Sequence, residues 1–323
     1  MNRTVFVTGA SGYTAKHLCL QLLDAGYRVR GSVRSARRAD EVLAALTPHL
    51  ADLSNLEARL DFAELDLHAD TGWDNAMHRA DVLIHTASPF GPGDAVTEED
   101  VARAVEATLR VLRAAAAAGI SRVIVTSSMA AIIEADPPPP DGIYTERDWS
   151  DTANPTINAY ARAKTLCERA AWDFVGNEAP GMVLTTINPG LIVGPPLDSH
   201  FDDAFALLQR VIRGECESVP NIGFACVDVR DVAAMHLRAI NRPAAFGERL
   251  IGAAGYLTLP EMARIVADAW PDRTIATQSA PGGAARRELS NAKARRVLDM
   301  DFIPAEDSVR DTARFMIENG LAG

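Results

Sequence analysis

The sequence is short of lysine, of net positive charge and of long apolar runs. Only three of its 32 basic residues are lysines, and the formal net charge is −11 with a pI of about 5.1. An acidic surface of this kind disfavours broad electrostatic binding to nucleic acid or to an anionic membrane. No stretch of about 18 apolar residues is present, which excludes a transmembrane helix. We therefore expect a soluble protein with neither nucleic acid nor a membrane as its partner.

Cysteine is scarce as well, and its spacing disfavours the common structural metal sites. None of the four cysteines belongs to a Cys-x-x-Cys pair or has the spacing of a zinc site, so we expect no bound metal and a reduced compartment. The chain enters a strand-like pattern at Arg3, which leaves no room for a signal peptide. These features predict a cytoplasmic protein. The four cysteines are Cys19, Cys167, Cys216 and Cys226.

Short β-rich runs alternate with helix-length segments over the first two-thirds of the chain. This alternation is typical of right-handed βαβ units, in which helices cover both faces of a parallel sheet. Residues 82–84 are continuously apolar, as a strand buried on both faces requires. The sequence therefore predicts an α/β fold with a doubly wound parallel sheet. The predicted strands lie at residues 5–7, 28–33, 60–65, 82–85, 123–126 and 183–187.

The pattern becomes less regular after Pro189. We expect a helix near residues 201–213 and another near 231–240, the second of which packs back on the sheet. The sequence thus predicts a larger nucleotide-binding domain and a smaller, mainly C-terminal, substrate-binding lobe. The domain is assigned residues 1–190 and 231–245, and the lobe is assigned residues 191–230 and 246–323.

A glycine-rich turn follows the first predicted strand and opens a helix. Gly9 permits a tight turn, Gly12 lets the backbone approach a pyrophosphate, and Ala15 is small enough for close packing of helix on strand. The helix N-terminus adds free N–H groups and the positive end of its dipole. In this position the pattern predicts a dinucleotide-binding turn in preference to an ordinary one. The predicted cofactor contacts here are Gly9, Ala10, Ser11, Gly12 and Tyr13.

The end of the second predicted strand distinguishes NADP from NAD. An acidic side chain there would bind the ribose 2′-hydroxyl of NAD, but the chain has Arg34, followed by Arg37 and Arg38. Guanidinium groups are suited to a 2′-phosphate. We therefore predict NADP(H) as the cofactor, with Arg34 and Arg38 as contacts. One of Arg37 and Arg38 is expected to lie on a solvated helix face instead.

Three further residues lie at the carboxyl edge of the predicted sheet, where open α/β sheets bind ligands. Asp66 follows the third strand and is suited either to the adenine amino group or to a helix cap. Thr86 and Ala87 follow the fourth strand, and small residues there suit a ribose and a pyrophosphate passing close by. We predict all three as cofactor contacts.

Tyr160 and Lys164 are the most informative pair in the sequence. Residues i and i+4 share a helix face, so the phenol and the ammonium are neighbours. A phenol, with an ordinary pKa near 10, acts as an acid or base at neutral pH only when a nearby charge stabilises the phenolate. Chance would produce this spacing only about 0.05 times in a chain with so few tyrosines and lysines. We therefore predict a catalytic pair, against the plainer alternative of a lysine lying along an amphipathic helix.

Together these motifs resemble those of the extended short-chain dehydrogenase/reductase superfamily across essentially the whole chain. The likeness extends to Gly-Ser-Val-Arg at 31–34, Leu-Asp-Leu at 65–67, Thr-Ala-Ser-Pro-Phe at 86–90 and Asn-Pro-Gly at 188–190. Within the superfamily, the chain resembles a branch of NADPH-dependent reductases. That branch includes dihydroflavonol reductases, cinnamoyl-CoA reductases and microbial aldehyde and ketone reductases. The resemblance implies a Rossmann-type fold.

The resemblance also implies roles for individual residues. Tyr160 would donate a proton to a substrate carbonyl oxygen, and Lys164 would stabilise the phenolate and bind the nicotinamide ribose. Ser128 would donate a hydrogen bond to the same oxygen, with Ser127 as its competitor for that role. The remaining implied cofactor contacts are Leu67 and Pro189, and the candidate walls of a mostly apolar substrate pocket are Phe90, Met129, Ile157 and Phe224.

The expected activity is NADPH-dependent reduction of a small ketone or aldehyde, reversible as an alcohol dehydrogenase. Residues 157–160 lack the aromatic and cysteine neighbours of the cinnamoyl-CoA reductase signature, which disfavours CoA thioesters. One alternative is a nucleotide-sugar epimerase or dehydratase of the same fold with a retained NAD, which Arg34 opposes. Another is a non-catalytic redox sensor that binds NADP. A homodimer is left open as the assembly.

Overall fold

The structure, a computed structural model, describes residues 3–90, 96–199, 204–283 and 286–322. The strands are β1 (Thr4–Thr8), β2 (Arg28–Val33), β3 (Leu60–Glu64), β4 (Val82–His85), β5 (Arg122–Thr126), β6 (Ile143–Tyr144), β7 (Val183–Pro189), β8 (Leu191–Val193), β9 (Gly223–Asp228), β10 (Arg249–Gly252), β11 (Gly255–Thr258) and β12 (Glu288–Leu289). The α-helices are α1 (Tyr13–Asp24), α2 (Ala36–Leu46), α3 (Leu56–Arg59), α4 (Trp73–Met77), α5 (Glu98–Ala117), α6 (Ala159–Asn177), α7 (Ala204–Ile212), α8 (Val229–Ala239), α9 (Leu259–Ala269), α10 (Ala292–Leu298) and α11 (Ala305–Glu318).

The main sheet of the described residues has seven parallel strands in the order β3-β2-β1-β4-β5-β7-β10. The chain runs outward from β1 to β3 and then returns to continue from β4 on the other side, which makes the sheet doubly wound. Apolar side chains of α1, α2 and α8 pack on one face, and those of α4, α5 and α6 pack on the other. This confirms the predicted Rossmann-type α/β fold, and every predicted strand lies within two residues of its observed bounds.

A smaller mixed sheet of β8, β9 and β11 lies outside the main sheet. It packs with α7, α9 and α11 around a separate apolar core that includes Val211, Met262 and Val309. α7 corresponds to the helix expected near residues 201–213, of which residues 201–203 lie outside the described part. None of the described helices is long and apolar enough to cross a membrane.

The structure places two segments of the predicted lobe in the larger domain. Residues 249–252 form β10, which pairs with β7 as an outer strand of the main sheet. α10 buries Ala294 and Leu298 in the core that also holds α1 and α8. Leu250 and Ile251 are fully buried in β10, so hydrophobic burial returns this segment to the sheet. Because the stretch before β10 is irregular, the sequence pattern did not predict that β10 belongs to the main sheet.

Candidate active site

The turn after β1 depends on Gly9. Its φ of +66° lies in the left-handed region that favours glycine, and an added Cβ would lie 3.0 Å from Cβ of Ala87. The amide of Gly9 donates to Oγ of Ser32, and the amide of Ala10 donates to O of Ser32, each at 2.9 Å. Gly12 is exposed and caps α1. Backbone therefore forms an open cradle in front of a helix N-terminus, which suits a pyrophosphate.

A buried threonine joins this turn to the end of β4. Thr8 Oγ1 accepts hydrogen bonds from the amides of Thr86 and Ala87, at 3.1 Å each, and lies 2.8 Å from Nδ1 of His85. Burial lowers the pKa of His85 to about 4, so its ring is neutral at pH 7. The predicted contacts Thr86 and Ala87 therefore lie beside Gly9, and neutral groups hold them there.

The predicted turn residues differ in which atoms they can offer to a cofactor. Tyr13 is 3% exposed, and its hydroxyl donates to O of Gly194 at 2.8 Å. Ala10 is fully buried beneath Gly31, where an added Cβ would lie 2.6 Å from Cβ of Ala10. Tyr13 and Ala10 can therefore contribute backbone groups to a cofactor site. Ser11 is half-buried.

Arginines lie where the adenosine end of a dinucleotide would be expected. Arg34 directly follows β2 and is exposed. Arg37 and Arg38 both pair with Glu41, at 2.9 and 2.7 Å, and their side chains are 83% and 39% exposed respectively. These hydrogen bonds lower the pKa of Glu41. Because Glu41 is paired with two arginines, its charge opposes a 2′-phosphate little, and the exposed Arg34 is suited to bind one. Of the other two arginines, Arg37 is the more solvated.

Asp66 and Leu67 follow β3 at the same edge. Asp66 Oδ1 accepts a hydrogen bond from the amide of His68 at 2.9 Å and so closes a turn. The next helix, α4, begins only at Trp73, so the helix-cap alternative for Asp66 is wrong and the adenine contact stays a prediction. Leu67 is half-buried, and its carbonyl accepts from Nη1 of Arg110 at 2.8 Å.

Tyr160 and Lys164 lie near the start of α6. The helix is capped by Asn158, whose side chain accepts a backbone hydrogen bond at 2.8 Å. Nζ of Lys164 lies 5.6 Å from the centroid of the Tyr160 ring and donates to Oγ of Ser88 at 3.0 Å. The ring of Phe90 is edge-on to that of Tyr160, with centroids 6.3 Å apart. The phenol and the ammonium are neighbours beside the segment that follows β4.

The two serines after β5 have different partners. Ser127 is 8% exposed and donates to Oε2 of Glu168 at 2.5 Å. Ser128 is half-buried, and its Oγ accepts from the amide of Ala130 at 3.1 Å. In the described part of the chain the Ser128 hydroxyl has no acceptor for its own proton, so it can donate to a ligand. Ser127 already uses its proton in the interior.

The other predicted site residues are spread over several elements. Met129 follows Ser128 in a 3₁₀ turn, and Ile157 lies in the turn before α6; both are half-buried. Pro189 is buried at the end of β7. Phe224 is half-buried on β9 and packs against the core of the second lobe. Their roles in binding stay predictions.

Sequence reasoning missed a buried charged pair behind the site. Glu168 lies on α6 one turn after Lys164, and Arg249 on β10 donates Nε to its Oε1 at 2.6 Å. Lys164 and Glu168 both line a cavity of about 30 Å³, room for about one water molecule. The i+4 spacing from Lys164 could have identified Glu168. Arg249 lies 81 residues further on, and no local pattern identifies it.

The chain is similar to known proteins over nearly its whole length. Residues 5–251 match the model of the NAD dependent epimerase/dehydratase family. A putative NADPH-dependent methylglyoxal reductase of Candida albicans is 30% identical over 338 residues, covering 97% of this chain and 98% of that protein. Cinnamoyl-CoA reductase 1 of Arabidopsis thaliana is 30% identical over 322 residues, covering 98% and 90%. The crystal structure of Gre2 from Candida albicans in complex with NADPH has a TM-score of 0.82 at 29% identity, covering 98% and 99%.

The family match spans the main sheet, the turn after β1 and the Tyr160–Lys164 pair. Fold and site together therefore define a class of Rossmann-type, NAD(P)-dependent enzymes. Within that class, the chain belongs to the NAD dependent epimerase/dehydratase family, the extended short-chain dehydrogenases/reductases.

Proposed function

We propose that the protein is an NADPH-dependent reductase of small ketones or aldehydes, reversible as an alcohol dehydrogenase. The observation that carries the proposal is the placement of Tyr160 beside Lys164 and against the apolar ring of Phe90. The likeness to the putative methylglyoxal reductase of Candida albicans supports it.

The residues present fit NADP(H). Gly9 and Gly12 leave room for a pyrophosphate at the start of α1, and the guanidinium groups of Arg34 and Arg38 would bind the 2′-phosphate. Lys164 would bind the nicotinamide ribose. When bound, NADPH supplies a hydride to the carbonyl carbon of the substrate.

The side chains of the site then handle the charge on the carbonyl oxygen. As negative charge develops there, the hydroxyls of Tyr160 and Ser128 stabilise it by hydrogen bonding, and Tyr160 transfers its proton to complete the alcohol. Lys164 stabilises the resulting phenolate by its positive charge. Ser88 accepts a hydrogen bond from Lys164 and so helps to hold the ammonium in place. In the reverse direction the phenolate removes the proton of the alcohol.

The decisive experiment measures the turnover of the wild-type protein and of two tyrosine variants. Each is assayed with NADPH on a panel of ketones, aldehydes, keto esters and one CoA thioester. Tyr160→Phe should lower kcat by roughly 10²–10⁴-fold, because it removes the proton donor, and should still bind NADPH by fluorescence titration. Tyr27→Phe is the matched control, since that phenol bonds to Asn241 at the amino end of β2.

The proposal fails if Tyr160→Phe retains near wild-type turnover. Tightly bound NAD without net consumption of NADPH would instead favour an epimerase or dehydratase. NADPH binding without turnover of any compound would favour a redox sensor. Thioester reduction alone would favour the chemistry named for the Arabidopsis thaliana relative, which is as similar in identity as the Candida albicans one.

A further inference from the structure

Glu168 is a buried carboxylate that accepts hydrogen bonds from five residues. It is 1% exposed, lies on α6 and receives hydrogen bonds from β7, β10, the end of β5 and its own helix. The donors to Oε2 are Ser127 Oγ (2.5 Å), Asn188 Nδ2 (2.6 Å) and Arg249 Nη2 (3.4 Å), and the donors to Oε1 are Arg249 Nε (2.6 Å), Thr186 Oγ1 (2.9 Å) and Trp172 Nε1 (3.4 Å).

These bonds hold the peptide of Ser128 from both sides. Nδ2 of Asn188, which bonds to Glu168, also donates to O of Ser128 at 3.2 Å. Ser127, which also bonds to the carboxylate, is joined to β7 because its amide donates to O of Ile187 at 2.7 Å. Glu168 therefore ties the Ser128 segment to the helix that carries Tyr160.

Arg249 neutralises the charge of the Glu168 carboxylate and is held away from Tyr160 and Lys164 by contacts of its own. Its Nη1 donates to the carbonyls of Glu146 and Asp148 at 2.8 Å each, and its guanidinium lies 3.6 Å from the ring centroid of Trp149. Its side chain is 9% exposed, so solvent screens the pair little. The guanidinium is thus fixed on the side of Glu168 formed by β10.

The remaining groups around the cavity leave one net charge. Burial lowers the pKa of His85 to about 4 and raises the pKa of the Cys167 thiol, so both are neutral at pH 7. α5 turns Ala104 and Thr108 toward the cavity. The other charged groups of α6 add little net charge at the cavity, because Arg162 pairs with Glu98, and Arg169 and Asp173 are exposed to solvent that screens them. The Glu168–Arg249 pair cancels itself, which leaves the ammonium of Lys164.

We propose that Glu168 and Arg249 form a buried neutral pair that positions Ser128 relative to Tyr160 and leaves Lys164 as the net charge acting on the phenol. Glu168 is in this sense a positioning residue. The proposal rests on the proposed function, because it assumes that Ser128 and Tyr160 act on the substrate oxygen.

Two single variants and their combination test the charge balance. The measurements are kcat, NADPH affinity, and the pH at which alcohol oxidation reaches half of its plateau. Glu168→Gln should lower kcat about 10–100-fold through misplacement of Ser128, with little change in NADPH affinity. It leaves an extra positive charge, which favours the phenolate, so the pH midpoint should move down. Arg249→Met leaves an extra negative charge, so the midpoint should move up.

The expected shifts follow from the separation of the charges. Eight residues of helix place Glu168 roughly 12 Å from Tyr160, and a unit charge at that distance in an effective dielectric of about 20 shifts the midpoint by up to about one pH unit. The double variant Glu168→Gln/Arg249→Met should restore the wild-type midpoint while kcat stays low. A purely structural role would not produce opposite shifts from the two sides of one pair.

A control and a substitute variant make the outcome decisive. Trp172→Phe removes only a 3.4 Å contact to the same carboxylate, which is longer than an ordinary N–H···O hydrogen bond, and should leave both kcat and the midpoint unchanged. If Glu168→Gln does not fold, as judged by circular dichroism, the near-isosteric Thr186→Val keeps both charges, removes one donor and should lower kcat at an unchanged midpoint.

The proposal is overturned if Glu168→Gln, or Thr186→Val in its place, keeps wild-type kcat, or if both charge variants shift the midpoint in the same direction. If either result is found while Tyr160→Phe is inactive, only the positioning role of Glu168 is rejected and the proposed function stands. An active Tyr160→Phe would reject the proposed function itself.

Discussion

The carboxyl edge of the main sheet is held together differently on its two sides. At β1, β2 and β4, where the cofactor is proposed to bind, neutral hydroxyls and backbone amides connect the strands, as at Thr8 and Ser32. At β5, β7 and β10, behind the proposed chemistry, the connection is the buried ion pair of Glu168 and Arg249. A turn that must approach a ligand closely requires small neutral groups. A hydroxyl that must be aligned with a helix can be fixed by a charged group that collects several donors.

A hydrogen bond between a threonine hydroxyl and a buried histidine occurs on both sides. Thr8 Oγ1 lies 2.8 Å from Nδ1 of His85, and Thr126 Oγ1 lies 2.8 Å from Nε2 of His236. Burial lowers the pKa of each histidine to about 4, so both rings are neutral hydrogen-bonding groups at pH 7. The contrast between the sides therefore lies in the ion pair.

Among the tests of this comparison between the two sides, the largest effect is expected on the cofactor side, at Arg34. Arg34→Glu should lower kcat/KM for NADPH by about 10–100-fold and improve that for NADH, because the proposed charge-assisted bond to the 2′-phosphate would be replaced by repulsion. Turnover at saturating NADH should change little. Arg37→Glu is the matched control, because that side chain is 83% exposed and should matter less. A wild-type preference for NADH would contradict the role given to Arg34.

A smaller effect is expected at Gly9. Gly9→Ala and Gly26→Ala both place alanine at a positive φ, of +66° and +83°, and each should lose about 1–2 kcal/mol in free energy of unfolding. Only at Gly9 would the new Cβ meet a neighbour, Ala87, so only Gly9→Ala should also raise the KM for NADPH, on the order of tenfold. Steady-state kinetics and urea denaturation measure the two quantities. Equal KM values for the two variants would contradict the proposal that the turn at Gly9 binds the cofactor while the turn at Gly26 does not.

The smallest effect at neutral pH is expected from the threonine–histidine pairs. Because burial lowers the pKa of His236 from 6.5 to about 4, the unfolded chain binds a proton more readily, and the free energy of unfolding falls as the pH drops from about 6.5 to 4. His236→Gln should make this fall shallower, by at most about 1.4 kcal/mol per pH unit. His85→Gln should do the same if the two pairs are equivalent. Urea denaturation at several pH values measures the slopes, and an unchanged slope would contradict the burial argument.

The sequence made the cofactor side easier to predict than the chemical side. Gly9, Gly12 and the apolar strands act through local backbone geometry, so the order of residues was enough to predict the turn and the sheet. The spacing of Tyr160 and Lys164 is also local, since one helix carries both. Ser127 and Ser128 could not be separated in this way, because their difference depends on Glu168, which approaches from another element.

The residue pattern by itself determined the doubly wound sheet, the glycine turn after β1 and the phenol–ammonium pair, because each arises from periodicity or from spacing between nearby residues. Tertiary structure alone decided three other features. β10 returns to the main sheet, Tyr13 bonds to the carbonyl of Gly194, and Arg249 neutralises Glu168. All three join residues far apart in the chain, and such contacts are selected by burial and by the pairing of buried polar groups, which no local pattern records.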